Sequence, residues 1–441
     1  ITQQQPAGHA IDIVDLQVVD RHGETLLDTV TATIGYPSHV AIVASQSGAG
    51  DILARVLGRQ ITEIKGTIRI GGRSMSELPS EALSRMVCYA NAEPGLLPDS
   101  IRDNVTLAVR QKSSPPLNPQ LNGTGVRDAD WLDLAAAGAT STAELDDRVI
   151  SALEVTGMLE DLYKFGMFGR LGSLGEPGTE ARLVTARHQI REELKRLKLL
   201  RLIEPFHPDR FNSNASIAEN FLFGVPLDPA WSDAGLAANP YFRALIEKEK
   251  LAEDLVSVGL RVAETTMSMI SDLPPGHALL ERYSLIPPQD FDDFQKRLET
   301  TKGGASPRQM DKLSESTFIA LALKYVEARH RFRLMEHDLM TRIVTARQRM
   351  YRELPSQYEG QIEFYDPEKI VMAAPIRDNL LFGRIVFGLP STEQQLWDVV
   401  RSVLTELDLE RTVCRIGLDF NVGPSGKLIS TQRRAAVNLA R

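Results

Sequence analysis

Residues Val40–Leu57 read VAIVASQSGAGDILARVL, and how this stretch folds decides what surrounds it. Val40 to Ala44 is a short, β-branched apolar run, sized for a buried strand rather than a helix. Ser45, Gln46, Ser47, Gly48, Ala49, Gly50 and Asp51 follow, small residues whose glycines leave a turn free to take positive φ. Ile52, Leu53, Val56 and Leu57 then recur at helical spacing. Strand, small-residue turn and helix start together aim backbone N–H groups at an anion such as phosphate. A full phosphate loop reads Gly-x-x-x-x-Gly-Lys-Ser/Thr, its lysine on the β/γ-phosphates and its hydroxyl on magnesium. Here Ala44 and Ala49 hold the glycine positions, Gly50 the lysine's and Asp51 the hydroxyl's. A cation is missing and a carboxylate is added. Asp51 serves equally well as a cap for its own helix.

Upstream, residues 11–20 (IDIVDLQVVD) and 25–34 (TLLDTVTATI) flank a His22-Gly23 turn and predict a β hairpin. Downstream, residues 66–72 (GTIRIGG) predict a strand, Ser80 to Arg85 a short helix, and Met86 to Ala90 a second buried strand. Glu93-Pro94 breaks the pattern, and a helix begins at Ser100. Residues 111–126, rich in Pro, Ser, Asn and Gly, read as a linker. Past them, Arg182–Ile203 and Ser316–Leu354 are charged, periodic and free of Gly and Pro, and predict long helices. The Pro- and Gly-broken stretch Leu273–Pro307 predicts a loop-rich connection.

An internal repeat ties these parts together. Residues 184–194 (VTARHQIREEL) recur at 344–354 (VTARQRMYREL). After them Pro208-Asp209 matches Pro367-Glu368, Glu219-Asn220 matches Asp378-Asn379, and Phe223-Gly224 matches Phe382-Gly383. A weaker third copy lies at Glu93-Pro94 followed by Ser100-Ile101-Arg102-Asp103-Asn104.

Length and composition set the bounds. A chain of 441 residues is long enough for two or three domains with their own cores. Its net charge of −8 argues against a dedicated nucleic-acid binder. Cys88 and Cys414 are too few for a disulfide framework, and no apolar run is long enough to cross a bilayer. The chain opens without Met and stops at Arg441 within a helical run, AAVNLAR, so it reads as a piece of a longer protein.

The ordered set of hairpin, VAIVASQSGAGD, GTIRIGG, YANAEPGLLPDSIRDNV and a distal GPSGKLISTQRRAAVNLAR resembles the nucleotide-binding domain of ATP-binding cassette (ABC) transporters, exporter-like in its SIRDN phrase. The resemblance covers about residues 10–110 and 375–441 and implies an α/β fold: a P-loop NTPase-like ABC ATPase core with an antiparallel β subdomain and a large, mainly helical insertion. On that reading residues 1–110 are the N-terminal part of the domain, 111–126 the linker, 127–374 the insertion, and 375–441 the signature-containing helical part, ending before the strand that carries the magnesium aspartate and catalytic glutamate. Ser45, Gln46, Ser47, Gly48, Ala49, Gly50 and Asp51 would face ATP and Mg2+, and Ser430 would be the signature serine that caps a γ-phosphate across a dimer interface. Departures accompany the match. The phosphate-loop lysine is lost, Ala92 stands where the Gln loop has its glutamine, and Thr431 and Gln432 replace the two signature glycines. The resemblance implies work at the cytoplasmic face of the membrane, with a transmembrane domain and a second nucleotide-binding domain as partners. It further implies coupling of ATP binding and hydrolysis to transport, with weak or absent hydrolysis in this chain alone. The alternative is a non-catalytic regulatory or interaction module that keeps the cassette scaffold. Ser100–Asn104 and Pro375–Gly383 are the expected contacts to the membrane partner.

Three further features have plainer readings. Ser430 is also a preferred N-cap for the helix that follows it. Glu327 and His330 have Glu-x-x-His spacing, but a carboxylate-bridged metal site needs a second such motif on a facing helix. Arg187, Arg191 and Lys195 form an i, i+4 stripe that reads as a solvated face paired with Glu192 and Glu193.

Overall fold

The computed structural model describes residues 9–44, 48–91, 94–110, 132–172, 178–270, 284–302, 310–388 and 390–441. The linker at 111–126 lies outside the described residues, as do Ser45, Gln46, Ser47 and Ala92. The chain folds as two compact units, one of residues 1–96 with 425–439, the other of residues 97–424 with 440–441.

The first unit is built on an antiparallel sheet of order β2-β1-β3-β4, with β1 His9–Val19, β2 Thr25–Gly35, β3 Lys65–Ile70 and β4 Arg73–Ser74. The predicted hairpin is β1–β2. Its turn closes where the Asp20 carboxylate accepts the N–H groups of His22 and Glu24, both at 2.8 Å, and Gly23 takes φ +84°. The buried face of β1 is Ile13, Leu16 and Val18, a spacing of three and then two. Asp15, at φ +50°, makes the difference: it is a bulge that adds one residue between Ile13 and Leu16. Opposite it Gly66 is obligatory, since a Cβ there would lie 2.4 Å from the Asp15 carbonyl. Leu53 and Val56 of helix Ala49–Leu57 seal this face together with Ile68 and Ile70.

Two expected strands do not form. Val40–Ala44 has no strand pairing, and Val43 is 94% exposed. In the Met86–Ala90 stretch, helix Ser80–Met86 takes the first residue and the rest is unpaired. A strand is stabilised by its neighbours, and among the described residues none offers these runs a ladder.

The second unit is mainly helical. Helices Leu159–Phe168 and Glu410–Gly417 meet backbone to backbone through glycines. A Cβ on Gly166 would sit 1.9 Å from the Val413 carbonyl, and one on Gly417 would sit 2.1 Å from the Leu162 carbonyl. Phe165 and Phe420 stack beside the crossing at 4.0 Å between ring centroids. One large core is closed by Trp231, Phe242, Phe318 and Tyr325, with helices Ala252–Ile270 and Lys312–Leu323 crossing at Gly259.

The predicted long helix Ser316–Leu354 is broken into Lys312–Leu323, Glu327–His330 and His337–Glu353. Side chains cause the break. The Glu327 carboxylate accepts the Tyr325 hydroxyl and the N–H groups of Arg333, Leu334 and Met335 at 3.0–3.1 Å, folding the chain back through left-handed Arg331 and Arg333. The stretch expected to be loop-rich holds helix Phe291–Lys302; within it, residues 273–283 and 303–307 lie outside the described residues.

Candidate functional site

Within the first unit, Gly48 takes φ +93° and opens helix Ala49–Leu57, so a left-handed glycine does turn the chain into the helix. Ala49, Gly50 and Asp51 form its first turn. The Tyr89 hydroxyl donates to the Asp51 carboxylate at 3.3 Å, and Tyr89 packs on Gly58 at the other end of the helix, where a Cβ would lie 2.7 Å from its own. The Tyr89 phenol is raised above its ordinary pKa by desolvation first and then by the neighbouring Asp51 charge. The turn therefore presents a carboxylate where an anion would otherwise be welcomed. Ser430 belongs to the same unit and caps helix Thr431–Ala440, its hydroxyl accepting the Arg433 N–H at 3.4 Å. That is the capping reading of this serine.

Glu327 and His330 do not form a metal centre. Glu327 is spent on backbone amides, and His330 Nδ1 contacts the Val326 backbone within its own turn at 2.9–3.1 Å. No cluster of His, Cys, Asp and Glu able to hold a metal ion occurs among the described residues.

A buried polar site among the described residues is one the motif reading missed. Arg187, expected on a solvated stripe, is only 4% exposed, and so is its repeat counterpart Arg347. Each is held by the other copy. Arg347, on helix His337–Glu353, donates from Nη1 to the carbonyls of His207, Pro208 and Arg210 at 3.0–3.2 Å, and from Nη2 to Asn220 Oδ1 at 2.9 Å. Arg187, on helix Thr179–Arg196, donates to the carbonyls of Asp366, Lys369 and Asn379 at 2.7–3.2 Å. Each guanidinium also covers a phenylalanine of the opposite copy, Arg187 on Phe382 at 4.7 Å and Arg347 on Phe223 at 4.9 Å. Burial lowers both arginines to a pKa of about 10, which leaves them charged at neutral pH.

The asparagines complete the arrangement. Asn220 accepts the Asn212 N–H and donates to its carbonyl, both at 2.8 Å; Asn379 does the same to Val371 at the same distances. Each side chain thus imitates a β-bridge to a residue eight positions earlier. Asn104 repeats this in the third copy on Leu97 at 2.9 and 3.1 Å, and Arg441 donates to the Asn104 carbonyl at 2.9 Å. Every copy of the motif is therefore an asparagine-pinned loop clasped by an arginine.

The backbone follows the same exchange. β5 (Ile203–Pro205) pairs antiparallel with β8 (Gly383–Ile385), and β6 (Gly224–Pro226) pairs antiparallel with β7 (Ile362–Phe364). Each ladder takes one strand from each copy. Phe206 and Tyr365, equivalent residues, stack at 4.2 Å between the copies. Phe223 and Phe382 take φ of +44° and +42°, which puts bulky residues in the left-handed region, and the ring cluster holds them there. The recurrence of Arg and Asn was visible in the sequence; which copy each arginine serves was not.

No family model and no solved structure matches this chain. Among curated proteins it is similar to "ABC transporter 1" of Ajellomyces capsulatus, at 28% identity over 199 residues, a match that covers 42% of this chain and 15% of that protein. The chain spans well under two thirds of that relative. Among the described residues no helix is long and apolar enough to cross a membrane. Over part of its length, the chain is related to the ABC transporters.

Proposed function

We propose that this chain is the nucleotide-binding portion of an ABC transporter. It retains a P-loop NTPase-like scaffold with a degenerate nucleotide turn, and works with a transmembrane domain and a second nucleotide-binding domain at the cytoplasmic face of a membrane. One observation carries the reading beyond sequence similarity: a glycine-hinged turn entering a helix and the Ser430-capped helix, nearly four hundred residues apart, belong to one compact unit. ATP and Mg2+ are the ligands this reading assigns to Ser45–Asp51, with Ser430 the cap of a γ-phosphate across a dimer interface. Binding there is weak and hydrolysis is absent, because Gly50 supplies no cation and Asp51 repels phosphate. Two like charges about 4 Å apart cost several kcal/mol at an intermediate dielectric, comparable to the loss of a lysine.

The test is titration of the full chain with a fluorescent ATP analogue and magnesium. Saturable binding in the millimolar range is expected, tightened several-fold by Asp51→Asn. Absence of saturable binding at millimolar nucleotide, in both the parent and the variant, sinks the nucleotide reading.

A second reading, a non-catalytic regulatory or interaction module on the same scaffold, is favoured by the unpaired, exposed Val40–Ala44 run and by the engagement of Asp51 with Tyr89. That outcome of the titration would select it.

A further inference from the structure

Between the two exchanged ladders lies a cavity of about 930 Å³, and neither Gly48–Asp51 nor Ser430 lines it. We propose that it binds a small planar aromatic anion, a carboxylate or sulfonate.

The wall is built of rings. Phe206 and Tyr365 stack on one another, and Phe223 and Phe382 meet them edge-on at 5.7–6.4 Å. Phe364 extends this surface, with Tyr351 against its edge at 5.1 Å. Such a volume and lining suit a drug-sized, flat, apolar body.

The charge of the ligand follows from which lining groups are already engaged. The carboxylates are occupied. Asp209 accepts Gln348 Nε2 at 2.8 Å, Glu363 accepts the N–H groups of Met372 and Ala373 at 2.6 and 2.8 Å, and Asp366 faces Lys369 at 3.5 Å. Arg347 is spent on backbone carbonyls. Arg191, one helical turn beyond Arg187, lines the cavity, is exposed, and has no ionic partner among the described residues. Arg352 likewise has no carboxylate partner among them and uses only its Nε, on the Gln348 carbonyl at 3.2 Å. Hydrogen bonds from neutral donors leave a carboxylate charged, so the sign comes from the whole lining: Arg191, Arg347, Arg352 and Lys369 face Asp209, Glu363 and Asp366, which leaves the cavity positive on a chain whose net charge is −8. Two planar guanidinium groups beside a wall of rings match the oxygens of a single carboxylate or sulfonate carried on a flat apolar body.

The experiment titrates the full chain with the aromatic sulfonate anilinonaphthalenesulfonate and, in parallel, with the uncharged phenylnaphthylamine, following probe fluorescence. Expected is one saturable site for the sulfonate. An R191Q/R352Q chain should weaken it by roughly tenfold, while changing the uncharged probe by less than about twofold. Tyr351→Ala, at a residue 64% exposed, should weaken both probes. Arg196→Gln, which removes only an exposed pair with Glu193, should change neither. Circular dichroism melts confirm that each variant is folded. Non-saturating sulfonate binding, indifference to R191Q/R352Q, or displacement of the sulfonate by millimolar ATP overturns the proposal. Failure of ATP binding at Gly48–Asp51 does not affect it.

Discussion

Arg187 and Arg347 show how much one side chain can organise. A planar guanidinium with five donors satisfies several carbonyls that converge from a loop, and its flat face still covers a ring. Lysine offers a single nitrogen on a flexible stem. Arg347→Lys is therefore expected to cost roughly 2–4 kcal/mol of stability, read from urea unfolding followed by circular dichroism. Arg342→Lys on the same helix touches part-exposed pairs with Asp254 and Asp338 and one exposed bond to the Lys250 carbonyl at 3.0 Å, and should cost less than about 1 kcal/mol. Equal losses at the two sites would contradict the clasp. The residue pattern was half legible. Arg187, Arg347, Asn220 and Asn379 recur at matching offsets, but the offsets are the same whether each arginine serves its own copy's loop or the other's. Burial of Arg187 could not be read from its neighbours, because Glu192 and Glu193 supply a plausible solvated partner set on the same helix.

At the scale of elements, what the sequence revealed depended on where the stabilising partner lay. The β1–β2 hairpin was legible because alternation and turn residues are local. Val40–Ala44 was not, because its apolar run becomes a strand only beside another strand. Ser316–Leu354 contains no Gly or Pro, so nothing local announced the turn that Tyr325 and Glu327 impose. The glycine crossing of helices Leu159–Phe168 and Glu410–Gly417 yields a sharper expectation. Gly417→Ala places a methyl group 2.1 Å from a backbone carbonyl that cannot rotate away, and should destabilise the chain by about 1–3 kcal/mol or more. Gly95→Ala, with nothing within 4 Å of the new methyl, should stay within about 0.5 kcal/mol. Thermal unfolding of the two variants side by side decides it.

For the molecule as a whole, the repeat is a pair of half-sites that complete one another. Two independent modules would lose Arg187 and Arg347 additively, within about 0.5 kcal/mol. Because both clasps meet through the Phe206–Tyr365 stack, a double-mutant cycle of Arg187→Gln and Arg347→Gln should show a coupling of about 0.5–3 kcal/mol. Simple additivity would mean that the stack does not transmit between the copies. The duplication itself was plain in the sequence. Its interlocked form was not, because strands of three residues leave little pattern to read.

The exchanged ladders also constrain the history of the gene. Deleting either repeat would orphan a strand from each ladder at once, together with the loop that the vanished arginine had held. A precursor bearing a single repeat could close the same ladders only by borrowing strands from a second molecule. Within one polypeptide both strands of each ladder are supplied by the same chain, so each half depends on the other to close its own sheet.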